Sequence, residues 1–262
     1  MDSLWPQLLL CWFAVFTIVN LTFGLSQILR NAGIVDVLWG FSFGAIAIFF
    51  ALSGDGHETR RIALAIAAAL WSGRLGLYLL IRCKSYHPAE DKRYAELREK
   101  WGDKANLYMF GMFHWQGALI MIFCPIFAVP TWNSNAVITL VEWVGLAIVA
   151  VAIIGESLAD WQLARFKKQN SKKVCQTGLW KYSRHPNYFF QWFAWVGFFF
   201  FAIGSGGWWT VYCPFLMLFL LVRVFGIPAN EEQNLKSKGE AYRDYQQTTS
   251  SFIPWPPRTI TP

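Results

Sequence analysis

The chain has 262 residues, 55% of them hydrophobic and 18% aromatic, with only 15% charged and a net charge of +7; mean hydropathy is +0.32. Soluble globular domains carry about 25% charged residues, so an ordinary soluble domain is excluded, and apolar runs near the ~20 residues that cross hydrocarbon as helix make this an integral, multi-pass membrane protein. A basic balance in such a chain reads as topology and attraction to anionic headgroups, not as a nucleic-acid surface; five cysteines without CxxC spacing and four scattered histidines (His57, His87, His114, His185) indicate neither a disulfide framework nor a metal site.

The first apolar run, residues 5–29, has no Lys or Arg before it and no small-residue cleavage site, which predicts a retained helix instead of a signal peptide. A second span follows at 37–52, with Asp36 at its entrance in "GIVDVLWG", and a third at 62–82, where Arg74 and Tyr78 fall one helical turn apart. The polar stretch "KSYHPAEDKRYAELREKWGDKANLY" predicts a short surface helix laced by i,i+4 ion pairs. Further spans are expected at 113–130, at 138–159 with Glu156 and Asp160 a turn apart at its end, at 188–203, and at 208–227 with Arg223 near its end. The second and sixth are short, leaving them less tilted or broken. "NEEQNLKSKGEAYRDYQ" predicts a second polar helix with Leu235 and Tyr242 on its apolar side, and "FIPWPPRTITP" is too rich in Pro to be helical, so that Phe252, Ile253 and Trp255 pack back onto the bundle or sit at the interface.

The fold class is therefore all-α integral membrane, with seven transmembrane helices and a cytoplasmic cap. With seven spans, the loops at 30–36, 83–112 and 160–187 and the tail from 228 share one side and hold nearly all Lys and Arg, while the opposite loops offer only Arg60 and Arg61. Positive-inside then places the N-terminus outside and the C-terminus in the cytoplasm. A charge at bilayer depth costs several kcal/mol unless paired or hydrated, so Arg74 and Arg223 either partner carboxylates or snorkel, or serve function. Glu156 and Asp160 share a face and repel unless a cation or hydroxyl stands between them.

In "GLWKYSRHPNYF", Gly178 and Pro186 shape a re-entry into the membrane. A helix start flanked by Lys181, Arg184 and His185 is suited to an anion, which would leave Asn187 to read an amide or hydroxyl and Tyr182 or Tyr188 to stack on a planar ring. The plainer reading is a basic interfacial turn with an aromatic belt.

This motif, followed by "NEEQNLKSKGEAYRDYQ" and a Pro-rich end, and preceded by "VDVLWG" (35–40) and "GRLGLYLLIR" (73–82), resembles the steroid 5-alpha-reductase family, specifically its bacterial relatives, over most of the chain. The resemblance implies a single reductase domain in the bacterial inner membrane that holds NADPH, with 1–112 as the substrate-side half and 113–262 as the cofactor-binding half. It assigns cofactor contacts to Asp160, Lys167, Tyr182, Arg184, His185, Asn187, Arg223 and Glu231, and phosphate contacts to Arg82, Arg93 and Tyr94. No G-x-G-x-x-G is present, so helix ends and basic side chains would replace a Rossmann loop. The implied chemistry is reduction of the 4,5 double bond of a 3-oxo-4-ene steroid or similar lipid enone, with Tyr78 and Asp36 as catalytic residues and Trp39 and Arg74 toward the substrate. Gln191 and Glu231 stand where animal members carry a carboxylate and a tyrosine, and their Gln-Glu pair is absent. An apolar substrate would enter a monomer from the bilayer. "RHPNY" with Glu231-Glu232 also resembles the isoprenylcysteine and phospholipid methyltransferases, so an S-adenosylmethionine-dependent membrane methyltransferase is the alternative.

Overall fold

The computed structural model describes residues 4–85, 89–170 and 173–258, and among them every regular element is helical. Six stretches are long and apolar enough to cross a membrane: Leu4–Leu29, Ile34–Ser53, Glu58–Ser85, Lys92–Trp132, Leu140–Gln169 and Trp208–Lys238. The chain divides into two compact units, residues 1–139 with 202–207, and 140–201 with 208–262. The sequence reading drew its halves at 112/113, but a helix over Ala105–Phe123 runs unbroken through that point.

The first unit contains α1 (Leu4–Leu29), α2 (Ile34–Ser53), α3 (Glu58–Ser85), α4 (Lys92–Trp101), α5 (Ala105–Phe123) and the short α6 (Pro125–Ala128). Small residues let α2 and α3 pack backbone to backbone. A Cβ at Gly40 would lie 2.7 Å from the Cα of Gly76, and Ser72 Oγ bridges the pair, donating to Gly40 O (2.5 Å) and accepting from Gly44 N–H (2.9 Å). Close approach through small residues with a hydroxyl bridge is how apolar helices associate where no hydrophobic force separates protein from lipid. Gly117 gives α5 the same approach to Val19 of α1. At the far end of α3, Arg60 is fully buried, and its guanidinium donates to the carbonyls of Asn133, Asn135 and Val137. One of the two cations on that side thus closes a loop in the structure.

In the second unit, α7 (Leu140–Gln169) meets α8 (Pro186–Ile203) through Gly145 and Gly197, each of which would drive a Cβ into the other's carbonyl, at 2.6 and 2.8 Å. The stretch expected as a seventh span is composite: a 3-10 turn at Trp208–Val211, α9 (Tyr212–Phe219), then a π-helical turn over Leu220–Val224. The polar segment expected as one helix is two, α10 (Ile227–Lys238) and α11 (Glu240–Thr248), because Gly239 adopts φ +56° between them. Beyond α11 the chain is non-helical to residue 258, with Phe252 buried against Phe189 and Trp192 and with Ile253 and Trp255 exposed.

α4 departs from expectation in its ion pairs. Asp91 caps it, accepting from Arg93 N–H at 3.0 Å, and Arg98 reaches back to Glu90 at 2.9 Å. The carboxylates that matter precede the helix instead of sitting on its face, where they also complement its positive end.

Candidate functional site

Each unit carries a polar cluster built on carboxylates. In the second unit, Glu231 on α10 is the hub. Its Oε1 accepts from Arg184 Nε (2.8 Å), His185 Nε2 (2.9 Å) and Tyr242 OH (3.1 Å), and its Oε2 from Arg184 Nη2 (3.1 Å) and from Gln246. The remaining Arg184 nitrogen, Nη1, donates to the carbonyls of Gln246 (3.0 Å) and Thr249 (2.5 Å). Burial first, and the Arg184 charge in addition, hold the His185 imidazole below its ordinary value against the upward pull of Glu231. Since a carboxylate only accepts, Nε2 carries the proton of that neutral ring. Burial and the adjacent Glu231 charge push the Tyr242 phenol up.

The sequence reading placed Arg184, His185 and Glu231 on the cofactor. The structure brings them together as a clamp that fastens α10 and α11 to the turn before α8, with Nε, Nη1 and Nη2 of the guanidinium and both carboxylate oxygens engaged. Gln246 and Tyr242 complete the clamp. An i,i+4 pattern on a polar helix hides their role, because their partner lies across a glycine break.

Next to this clamp is a different kind of group. The 3-10 turn Gly178–Lys181 is held by Gln162 Oε1, which accepts from Leu179 N–H (2.8 Å), and by Trp180 Nε1–H, which donates to Ala159 O (2.9 Å). In the first turn of α8, Asn187 Nδ2 donates to Asp160 Oδ1 at 3.3 Å, while its amide Oδ1 is buried with no hydrogen-bond partner among the described residues. A buried acceptor left open costs about 1–3 kcal/mol, so the structure sets an acceptor ready for a donor it does not itself supply. Tyr182 is exposed, and so are Lys167 and Arg223; the latter makes no hydrogen bond or ion pair to a described residue.

In the first unit, Asp36 Oδ1 accepts from Tyr94 OH (2.7 Å) and Oδ2 from Arg93 Nη2 (2.8 Å). Arg93 also pairs with Asp91 (2.9 Å), which Arg82 reaches from α3 (3.0 Å). Burial raises the Asp91 carboxyl, but the Arg93 hydrogen bonds and charge and the Arg82 charge outweigh it and hold it below the usual carboxylate range. Arg82, Arg93 and Tyr94, expected on phosphates, are thus gathered on two carboxylates. Asp36, expected with Tyr78 as a catalytic residue, accepts from the Tyr94 phenol. Tyr78 is exposed, with the Arg74 guanidinium carbon 5.8 Å from its ring centroid. Arg74 therefore faces the ring. Trp39 packs edge-on against Phe43 and Phe123, at 5.0 and 6.1 Å. His87 lies outside the described residues, and among those described no group of three metal-ligating side chains converges.

A family model described as "Protein of unknown function (DUF1295)" matches residues 22–249, a stretch that takes in both clusters. The chain belongs to this family. It is also 26% identical over 274 residues to an uncharacterized protein of Schizosaccharomyces pombe, an alignment covering 91% of this chain and 77% of that one. No solved structure matches.

Proposed function

We propose that this DUF1295 protein is a membrane-embedded NADPH-dependent reductase of a lipid enone, a 3-oxo-4-ene steroid or a molecule of similar shape. The sequence resemblance to the steroid 5-alpha-reductase family suggests the class, and the observation that carries it to a residue is Asn187, whose buried amide oxygen lacks a donor beside Asp160. A carboxamide or an exocyclic amine would satisfy that oxygen, and a nicotinamide dinucleotide offers both. When bound, NADPH supplies the hydride. Asn187 reads the amide; Asp160 fixes the orientation of Asn187; Lys167 and Arg223, both exposed, are assigned to the cofactor by the resemblance, and Arg223 makes no hydrogen bond or ion pair to a described residue. Tyr78 is the proposed proton donor to the enone oxygen, and Trp39 and Arg74 belong to the substrate side.

The same reading includes a seventh crossing by α8, an N-terminus outside and a C-terminus in the cytoplasm, and a place in a bacterial inner membrane. Binding tests the cofactor directly. Purified protein should quench and shift NADPH fluorescence, and Asn187→Ala should raise the apparent Kd tenfold or more, about 1.5 kcal/mol or above for a lost hydrogen bond to a buried or charged partner. Saturable binding of S-adenosylmethionine with no response to NADPH would favour the methyltransferase instead.

A further inference from the structure

The tail after α11 does more than pack. It is clamped to the turn before α8 at three points, Arg184 N–H donating to Ser250 O (2.8 Å), Ser183 Oγ to Phe252 O (2.8 Å) and Trp255 N–H to Tyr182 O (2.9 Å), and it folds back on the end of α11, where Arg258 N–H donates to Thr248 O (2.8 Å). The fold-back borders an open cleft of about 350 Å³, within the range of small-molecule sites. No carboxylate of a described residue lines it. Arg184, in its wall, is engaged by the Glu231 clamp, whereas Gln247, Ser250, Ser251 and Arg258 make no side-chain hydrogen bond to any described residue. The lining is thus hydroxyl, amide and guanidinium groups, with Arg258 the cation that no described residue pairs. Trp255, 67% exposed, lines the cleft, and Ile253, two residues earlier in the chain, is 59% exposed. An indole and an aliphatic side chain left bare next to a basic, hydroxylated pocket in a membrane protein mark the level of lipid headgroups.

We infer that this cleft binds a phosphate oxyanion, held by the Ser250 and Ser251 hydroxyls and the Arg258 guanidinium, with Trp255 seating the group that bears it. Hydroxyls and a guanidinium lining one cleft without a described counter-carboxylate are the donor set that phosphate takes. The phosphate can belong to a phospholipid headgroup or to a small soluble phosphate. This site is separate from the one at Asn187 and does not depend on the reductase reading.

The test uses the full chain in a neutral detergent, following the thermal unfolding midpoint against short-chain phosphatidylglycerol, the corresponding diacylglycerol and inorganic phosphate. A saturable rise with phosphatidylglycerol and none with diacylglycerol is the expected result, with affinity at least tenfold weaker in Arg258→Gln and in Ser251→Ala, the scale of a lost charge-assisted hydrogen bond. A rise with inorganic phosphate at the same concentrations, equally weakened in the variants, would assign the site to a soluble phosphate. Neither side chain has a partner to lose, so both variants should keep the wild-type midpoint without ligand. No response to either phosphate, or a response unchanged in both variants, overturns the proposal. NADPH binding is measured in parallel: its loss in Arg258→Gln would make the cleft part of the dinucleotide site and overturn a separate one, whereas its absence in the wild type would sink the reductase reading and leave this site standing.

Discussion

Tyr78 and Tyr94 are two phenols on neighbouring elements with opposite surroundings, and the difference separates a chemical role from a structural one. Tyr94 is buried, with its hydroxyl on Asp36. Tyr94→Phe strands one carboxylate lone pair but keeps Arg93 on the other oxygen, so it should cost roughly 1–3 kcal/mol of stability. Tyr78 is exposed, with Arg74 over its ring. If it protonates the enone oxygen, Tyr78→Phe should lower kcat by roughly 10²-fold with NADPH affinity near wild type. Turnover of a 4-ene-3-ketone alongside thermal unfolding distinguishes them, and full activity in Tyr78→Phe removes that residue from the mechanism. The motif "VDVLWG" pointed to Asp36 as a charge needing a partner. It could not say which, because Arg93 and Tyr94 are 57 and 58 residues further on, and a carboxylate at a helix entrance is equally compatible with any cation the fold delivers.

At the scale of elements, the second unit depends on a joint that no helix makes alone. The clamp joins α10, α11 and the turn before α8 through one carboxylate with side-chain exposure of 13%, facing an arginine at 10%. Glu231→Ala would leave that buried guanidinium without its counter-ion, which should cost about 3–5 kcal/mol and release α11 and the tail to limited proteolysis. His185 gives the joint a pH signature. Its folded pKa lies below the ordinary value of 6.5, so the unfolded chain takes up a proton before the folded one does. The stability it contributes is intact above about pH 6.5 and is lost as pH falls from there toward the folded pKa. Asp91 acts in the same sense at lower pH, below its ordinary 3.8. An unfolding midpoint that drops between pH 7 and 5 in the wild type and less in His185→Gln is the expected outcome; equal slopes would remove His185 as the titrating group. The helices themselves were legible from apolar runs and punctuation, including the basic turn before α8. Their joints were not, since the Arg184 partner is 47 residues away and the break at Gly239 sits inside an otherwise helical polar pattern.

For the whole molecule, the open number is seven against six, and α8 decides it. Its 18 residues span roughly 27 Å at 1.5 Å per residue, just short of the ~30 Å hydrocarbon core. Asn187, Tyr188, Gln191 and Trp192 dilute the apolar character of its first two turns. That is why six helices satisfy length and hydropathy while the distribution of Lys and Arg demands an odd number: only a crossing by α8 puts the basic segments at 83–112, 160–187 and beyond 228 on one side. A short helix entered through a clamped polar turn can cross if that turn sits within the headgroup layer, where Trp and Tyr are at home. The two counts differ in one observable. With seven crossings, the loop after the fourth and the tail after the last lie on opposite sides; with six, they share a side. Ser134 and Glu240 are exposed in those two segments, so Ser134→Cys and Glu240→Cys can be labelled by a membrane-impermeant maleimide in oriented vesicles. Labelling of Ser134→Cys from outside, and of Glu240→Cys only after permeabilisation, is the expected result; labelling of both from the same side would return α8 to the interface and invert the charge argument for every segment after it.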